Sequence, residues 1–214
     1  MKEKLVVFDY DGVIVDSLDI NLGIAEQACK EIEHSIFPTK ADIEQLDNLS
    51  FEDLGRQIGL SKEKSISFAN HVFKLLTNND RPPKIFPGMN EIIQELGERN
   101  HIAIVTTNVK HAADQVLEEH RLHDKVDLII GAEQPGSKAE KIMHVIVKFK
   151  GEHNKTYMIG DATSDIREAR KARVKSIAVT WGYHSREKLE KADPDFIVNI
   201  PYEIVPILNA GNHL

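Results

Sequence analysis

The sequence predicts an α/β fold: a doubly wound, mostly parallel sheet with a smaller all-α insert. Three observations carry this. Six short apolar runs, at residues 5–8, 102–105, 128–130, 157–159, 176–179 and 196–198, are nearly continuous rather than alternating. Such runs suit strands covered on both faces. From about residue 85 onward they alternate with amphipathic helical patterns, which implies right-handed crossovers between parallel strands. Between the first run and Pro87 the rhythm breaks, and residues 17–85 contain helical patterns with no convincing strand.

Each element follows from its own spacing. Residues 18–33 place Leu18, Leu22, Ala25, Ala28, Cys29 and Ile32 on one helical face. Pro38 and Thr39 interrupt that pattern, and shorter helices follow at 40–47, 51–58 and 62–78. The run Asn78-Asn79-Asp80-Arg81-Pro82-Pro83 is a loop by composition. The insert thus leaves the core near 16–17 and returns near 81–86, and paired crossings are what a hinged lid requires. Beyond Pro87, residues 88–99 carry Met89, Ile92, Ile93 and Leu96 at helical spacing. Residues 138–150 carry Ile142, Val145, Ile146 and Phe149, and residues 165–173 carry Ile166, Ala169 and Ala172. The expected division is a catalytic core of 1–16 and 86–214 with a helical cap of 17–85.

Composition narrows the function classes. A chain of 214 residues buries enough surface to need no staples. The net charge of −7, from 27 Lys+Arg against 34 Asp+Glu, argues against a general nucleic-acid binder. A single cysteine, Cys29, excludes an intrachain disulfide and fits a reducing cytosol; it reads as a buried, neutral thiol. No apolar run approaches a membrane span, and the N-terminal run is too short for a signal-peptide core. A cytoplasmic protein, monomeric or homodimeric, is expected. His34, His71, His101 and His144 lack ligand spacing and read as surface or packing residues.

Four motifs carry chemistry. Phe8-Asp9-Tyr10-Asp11-Gly12 follows the first strand directly, and ligands in open α/β sheets bind beyond the carboxyl ends of strands. Two acids so close are costly unless a cation neutralises them. Gly12 permits the sharp turn. An acidic turn capping the next helix would read the same way. Met158-Ile159-Gly160-Asp161-Ala162-Thr163-Ser164-Asp165 delivers carboxylates from a second strand end. Oxygen-only ligands from Asp9 and Asp161 describe a hard-cation site, and Mg²⁺ takes few carboxylates together with substrate phosphate. Asp165 either supports that site or caps the following helix. Thr106-Thr107-Asn108 ends a further strand in hydroxyls and an amide, which with the next helix start makes an anion site. Lys138 opens a helix against the dipole, which calls for a charge partner. Lys141, one turn along, is a competing candidate and is expected to face solvent.

With Asp9-x-Asp11-Gly12, Thr106, Lys138 and Gly160-Asp161-x-x-x-Asp165 in this order, the chain resembles the haloacid dehalogenase superfamily, in its phosphoglycolate-phosphatase-like branch with a helical cap after the first strand. Phe86-Pro87-Gly88 at the cap exit, Ala178–Tyr183 and Ala192–Phe196 also look like family members. The resemblance spans essentially the whole chain. It implies a core strand order of 5-4-1-2-3 and Mg²⁺-dependent hydrolysis of a small phosphorylated metabolite. It implies that Asp9 is the nucleophile forming an aspartyl-phosphate and that Asp11 is the acid and base. Asp9, Asp161 and the Asp11 carbonyl would hold the metal. Thr106, Thr107 and Lys138 would hold the phosphoryl oxygens, and Asp165 would support them. The sequence departs from relatives at Val13, where many have Thr, at Asn48, where many have Gly, and after Lys138, where prolines are common.

Within the family, Asp11 argues against a dehalogenase, because a halide leaving group needs no proton. A hexose-phosphate mutase is the main alternative, and those relatives carry a cap Arg where this chain has Phe51. Pyrophosphate is another candidate substrate. The cap, with 8 Lys+Arg and 12 Asp+Glu between residues 16 and 86, gives no basis for a strongly anionic leaving group. Arg56 is the sequence-level candidate for reading the substrate from the cap, as a bidentate partner for a carboxylate or second phosphate. The alternative reading pairs it with Glu52 or Asp53 on its own helix.

Overall fold

The computed structural model describes residues 2–79 and 82–210. Asp80 and Arg81, within the loop expected at 78–83, lie outside the described residues. In chain order the elements are β1 (Leu5–Phe8), β2 (Val15–Asp16), α1 (Leu18–Glu31), α2 (Lys40–Gln45), α3 (Phe51–Gln57), α4 (Lys62–Thr77), β3 (Lys84–Ile85), α5 (Met89–Arg99), β4 (His101–Val105), α6 (Lys110–Glu119), β5 (Leu128–Ile130), α7 (Lys138–Phe149), β6 (Thr156–Gly160), α8 (Thr163–Ala172), β7 (Lys175–Val179), α9 (Arg186–Lys191), β8 (Phe196–Val198) and α10 (Ile204–Asn209).

Six strands form one parallel sheet in the order β5-β4-β1-β6-β7-β8. Counting only these six along the chain, that is the expected 5-4-1-2-3 arrangement with a sixth strand added at one edge. β1 is central and entirely buried because LVVF offers a hydrophobe to each face. Val6 and Phe8 pack with Ile92, Ile104 and Ile159 on one side, while Leu5 and Val7 pack with Ile142, Val145 and Met158 on the other. Beyond β1 the chain first builds the sheet toward β5, then reverses toward β8. The crevice at this switch point lies at the carboxyl ends of β1, β4 and β6.

Helices α1–α4 enclose a separate apolar cluster that includes Ala25, Cys29, Leu54, Phe68 and Val72. Phe51 and Phe73 meet edge to face at 5.6 Å and 86°. Burial pushes the Cys29 thiol up to about 11, so it stays neutral. Two links escaped the sequence reading: β2 and β3 pair antiparallel, Val15 opposite Ile85, and form a neck between sheet and insert. Strands of two residues have no periodicity to detect. The short helices α9 and α10 were missed for the same reason; α9 buries only Leu189.

The far end of the insert is clasped to the core. Ser185 Oγ donates to Glu44 Oε1 at 2.6 Å, Lys188 Nζ donates to Leu46 O at 2.5 Å, and Thr163 Oγ1 donates to Asp47 O at 3.3 Å. Arg167 reaches Asn48 Oδ1. These contacts hold the 44–48 segment over the crevice. Among the described residues no helix is long and apolar enough to cross a membrane.

Candidate active site

Three strand ends and two helix starts converge on the crevice. The Asp9 N–H donates to Ile159 O at 2.9 Å, which seats Asp9 just past β1 and beside β6. The chain then turns sharply, with the Ile14 N–H and the Val15 N–H donating to Tyr10 O at 2.9 and 3.2 Å. Gly12 makes that turn at φ +75°, and a Cβ there would stand 2.0 Å from Asp161 Oδ2. Both the left-handed backbone and the close approach demand glycine. Gly12→Ala is therefore expected to cost about 2–4 kcal/mol of folding free energy, read by urea unfolding.

Lys138 sits at the first turn of α7. Ser137 and Glu140 fix that start by a capping box: the Glu140 N–H donates to Ser137 Oγ at 3.2 Å and the Ser137 N–H donates to Glu140 Oε2 at 2.7 Å. Glu168 Oε2 accepts the Ala139 N–H at 3.0 Å and ties α7 to α8. The Lys138 ammonium lies 2.8 Å from Asp9 Oδ2 and 2.6 Å from Asp165 Oδ1, with all three side chains largely buried. This is the charge partner that a lysine opposing the helix dipole called for. Burial disfavours the ammonium, but Asp165 and Asp9 outweigh it and hold the Lys138 pKa above its ordinary value. Asp165 has both readings at once, because its Oδ2 also accepts the Ala162 N–H at 3.1 Å as a helix cap.

Negative charge remains in excess. Burial pushes Asp9 up to about 7, against the pull of Lys138 and with the push of Asp165 and Asp11. Burial, followed by repulsion from Asp165 and Asp9, raises Asp161 well above the usual carboxylate range. Asp161 Oδ2 accepts the Tyr183 N–H at 2.7 Å, whereas its Oδ1 is buried without a hydrogen-bond partner. Asp9, Asp161 and Asp165 each place a carboxylate oxygen within 4.8 Å of the others. A crowded carboxylate cluster with one orphaned oxygen fits a hard divalent cation.

Asp11 points elsewhere. Its Oδ1 accepts from Ser17 Oγ at 2.6 Å and Asn21 Nδ2 at 3.2 Å, and its Oδ2 accepts from Asn108 Nδ2 at 3.0 Å. The side chain of Asp11 is outside the carboxylate cluster. Tyr183 links the two groups: its N–H holds Asp161, and its hydroxyl lies 2.9 Å from both Ser17 Oγ and Asn21 Nδ2. The sequence reading assigned no role to Ser17, Asn21, Glu168 or Tyr183. Tyr183 had one available signal, since it follows the carboxyl end of β7, another strand end over the crevice.

Thr106 is buried, and its Oγ1 accepts the Asn108 N–H at 2.9 Å. Thr107 and Asn108, rather than Thr106, line the cavity. Lys141 corrects an expectation: it is buried, and its ammonium donates to Gly131 O at 2.8 Å. Its stem lies on the sheet-facing side of α7 next to Ile142, which carries the ammonium to loop carbonyls rather than to water.

The cavity between insert and sheet end holds about 270 Å³. Asp9, Asp11 and Lys138 face it from the core, and Leu46, Leu49, Phe51 and Leu54 face it from the insert. Arg56 is absent from that lining. It is half exposed, ion-paired to Asp53 and 3.9 Å from Glu52, and it borders a separate surface depression with Gln45 and Gln57. The i,i+3 spacing from Asp53 draws the guanidinium along its own helix and keeps it out of the cavity lining.

The family of haloacid dehalogenase-like hydrolases matches residues 6–179. Phosphoglycolate phosphatase from Synechococcus elongatus is 24% identical over 203 residues, covering 94% of this chain and 95% of its own. Pyrophosphatase PpaX from Bacillus mycoides is 23% identical over 216 residues, covering 99% of this chain and 100% of its own. A haloacid dehalogenase-like hydrolase from Streptococcus pneumoniae superposes with a TM-score of 0.80 at 24% identity, over 95% of this chain and 97% of that one, a likeness that concerns the fold. With its acidic cluster at the switch point and a family match across most of its length, this chain belongs to the haloacid dehalogenase-like hydrolases.

Proposed function

We propose that the chain is a Mg²⁺-dependent phosphatase that hydrolyses a small organic phosphate monoester through an aspartyl-phosphate. The observation that carries this is the Lys138 ammonium bridging Asp9 and Asp165 beside the unpartnered oxygen of Asp161. Asp9, Asp161 and the Asp11 carbonyl would hold the metal. When bound, Mg²⁺ neutralises the crowded carboxylates and withdraws charge from the phosphoryl oxygens.

The residues then divide the work. A carboxylate oxygen of Asp9 forms a bond to phosphorus as the bond to the ester oxygen breaks. Asp11 gives its proton to that oxygen, and the alcohol departs. Water next attacks phosphorus, Asp11 takes a proton from it, and the bond to Asp9 breaks to release inorganic phosphate. Lys138 and Thr107 position the phosphoryl oxygens, and Thr106 orders the turn beside them through the Asn108 N–H; positioning is most of what phosphoryl transfer asks of a protein. Asp165 keeps Lys138 aimed, with both its oxygens already committed. In this reading residues 17–85 are the cap that shields the site from water.

The test is phosphate release from p-nitrophenyl phosphate by the purified chain. Turnover is expected with Mg²⁺, none in excess EDTA, and a fall of about tenfold or more when Ca²⁺ replaces Mg²⁺, because Ca²⁺ takes more ligands at longer distances. Full activity after metal stripping would refute the proposal.

A further inference from the structure

We infer that the cap selects phosphate monoesters whose alcohol is uncharged and largely apolar, and rejects those carrying a second anion. This rests on the phosphatase reading of the same site and adds the class of leaving group. The groups that would hold the phosphoryl all come from the core, so the alcohol must be read by the insert. The insert presents Leu22, Ile43, Leu46, Leu49, Phe51 and Leu54 to the cavity, from three different helices and the loop between them. Phe51 is fixed there by its edge-to-face contact with Phe73.

The insert's polar side chains in the wall are largely drawn into contacts of their own. Ser50 Oγ donates to Asp53 Oδ2 at 2.6 Å and caps α3. Asn48 Oδ1 accepts from Arg167, and Asn21 Nδ2 donates to Asp11 and Tyr183. Among the described lining residues Lys138 is the one cation, and Asp9 and Asp165 occupy it. The other charges that face the cavity, Asp11 and Glu168, are acids. Arg167 and Lys188 stand behind the wall, not in it, committed to Asn48 Oδ1 and Leu46 O. A carboxylate or second phosphate on the alcohol would lie against leucine and phenylalanine with no unpaired cation in the lining, which is a costly burial. A hydrocarbon chain or ring would lose only its own contact with water. A cavity of about 270 Å³ takes a phosphoryl group with an alcohol of about ring size.

The experiment compares kcat/KM on the full chain with Mg²⁺ for two matched pairs. Phenyl phosphate is set against 4-carboxyphenyl phosphate, whose leaving group has similar acidity, and ethyl phosphate against phosphoglycolate. The neutral member is expected to win each pair by about thirtyfold or more. Lengthening ethyl to pentyl phosphate is expected to raise kcat/KM about tenfold or more, as buried methylenes add up. Phe51→Ala should shrink that chain-length gain, whereas Arg56→Ala should leave the ratios within about twofold, as for an exposed, locally paired side chain. Phosphoglycolate hydrolysed as well as ethyl phosphate, or a chain-length series that is flat, would overturn the inference. Failure to hydrolyse any of the five esters would instead overturn the phosphatase reading beneath it.

Discussion

Asp9→Asn is expected to remove turnover, by about 10³-fold or more, while the protein still folds. The carboxylate ends the central strand, 2.8 Å from the Lys138 ammonium, and the amide that replaces it is a poor nucleophile. The check is the rate on p-nitrophenyl phosphate alongside circular dichroism of the same sample. Activity within tenfold of wild type would remove Asp9 from its assigned role. A second readout follows from charge. Burial lifts the Asp9 pKa to about 7, from about 4 in an unfolded chain. Between those values the folded state holds a proton that the unfolded state has released. Without metal the wild type thus loses stability as pH rises from about 4 to about 7. Asparagine escapes that loss, so the variant's relative stability in EDTA should grow across this window. A stability gap equal at about pH 4 and about pH 8 would contradict the charge argument.

Lys138→Met is expected to be as damaging to turnover and more damaging to the fold. The ammonium is the only cation within hydrogen-bond reach of Asp9 and Asp165 among the described residues. Methionine matches the volume of its stem but leaves both acids without a cation, each held only by a backbone N–H, from Tyr10 to Asp9 and from Ala162 to Asp165. Breaking a buried ion pair from one side costs about 3–5 kcal/mol. Part of that is recovered when the carboxylates take up protons, so the deficit should be smaller near pH 5 than near pH 8. Urea unfolding in EDTA at both pH values reads this directly. Lys141→Met is the informative comparison, since that ammonium bonds carbonyls of Gly131 and Thr106 and touches neither acid. A pH-dependent deficit for Lys141→Met, with none for Lys138→Met, would reverse the assignment of the two lysines.

The sequence by itself determined the sheet and the strand ends at which its acids and hydroxyls emerge. Continuous apolar runs such as LVVF can only be buried on both faces, and helices at period 3.6 between them leave a parallel sheet as the consistent arrangement. Acids directly after such runs must emerge at strand ends, so Asp9, Asp161 and the Thr106–Asn108 turn were legible before any coordinate. Lys138 was legible because a lysine at a helix start opposes the dipole unless something offsets it. The tertiary structure alone decided the direction of the remaining polar groups. Lys141 turned inward because its long stem could follow the packed face of α7 to carbonyls that no local pattern reveals. Arg56 turned away because the nearest carboxylate, Asp53, lies on its own helix, and a flexible cation takes the nearby partner. Tyr183 joined Asp161 to Ser17 and Asn21 across more than 160 residues, and such a link exists only once β7 is laid beside β6. Backbone hydrogen bonding and burial act over a few residues and leave a periodic trace. The aim of a polar side chain depends on which distant groups the packed sheet and insert bring within 3 Å.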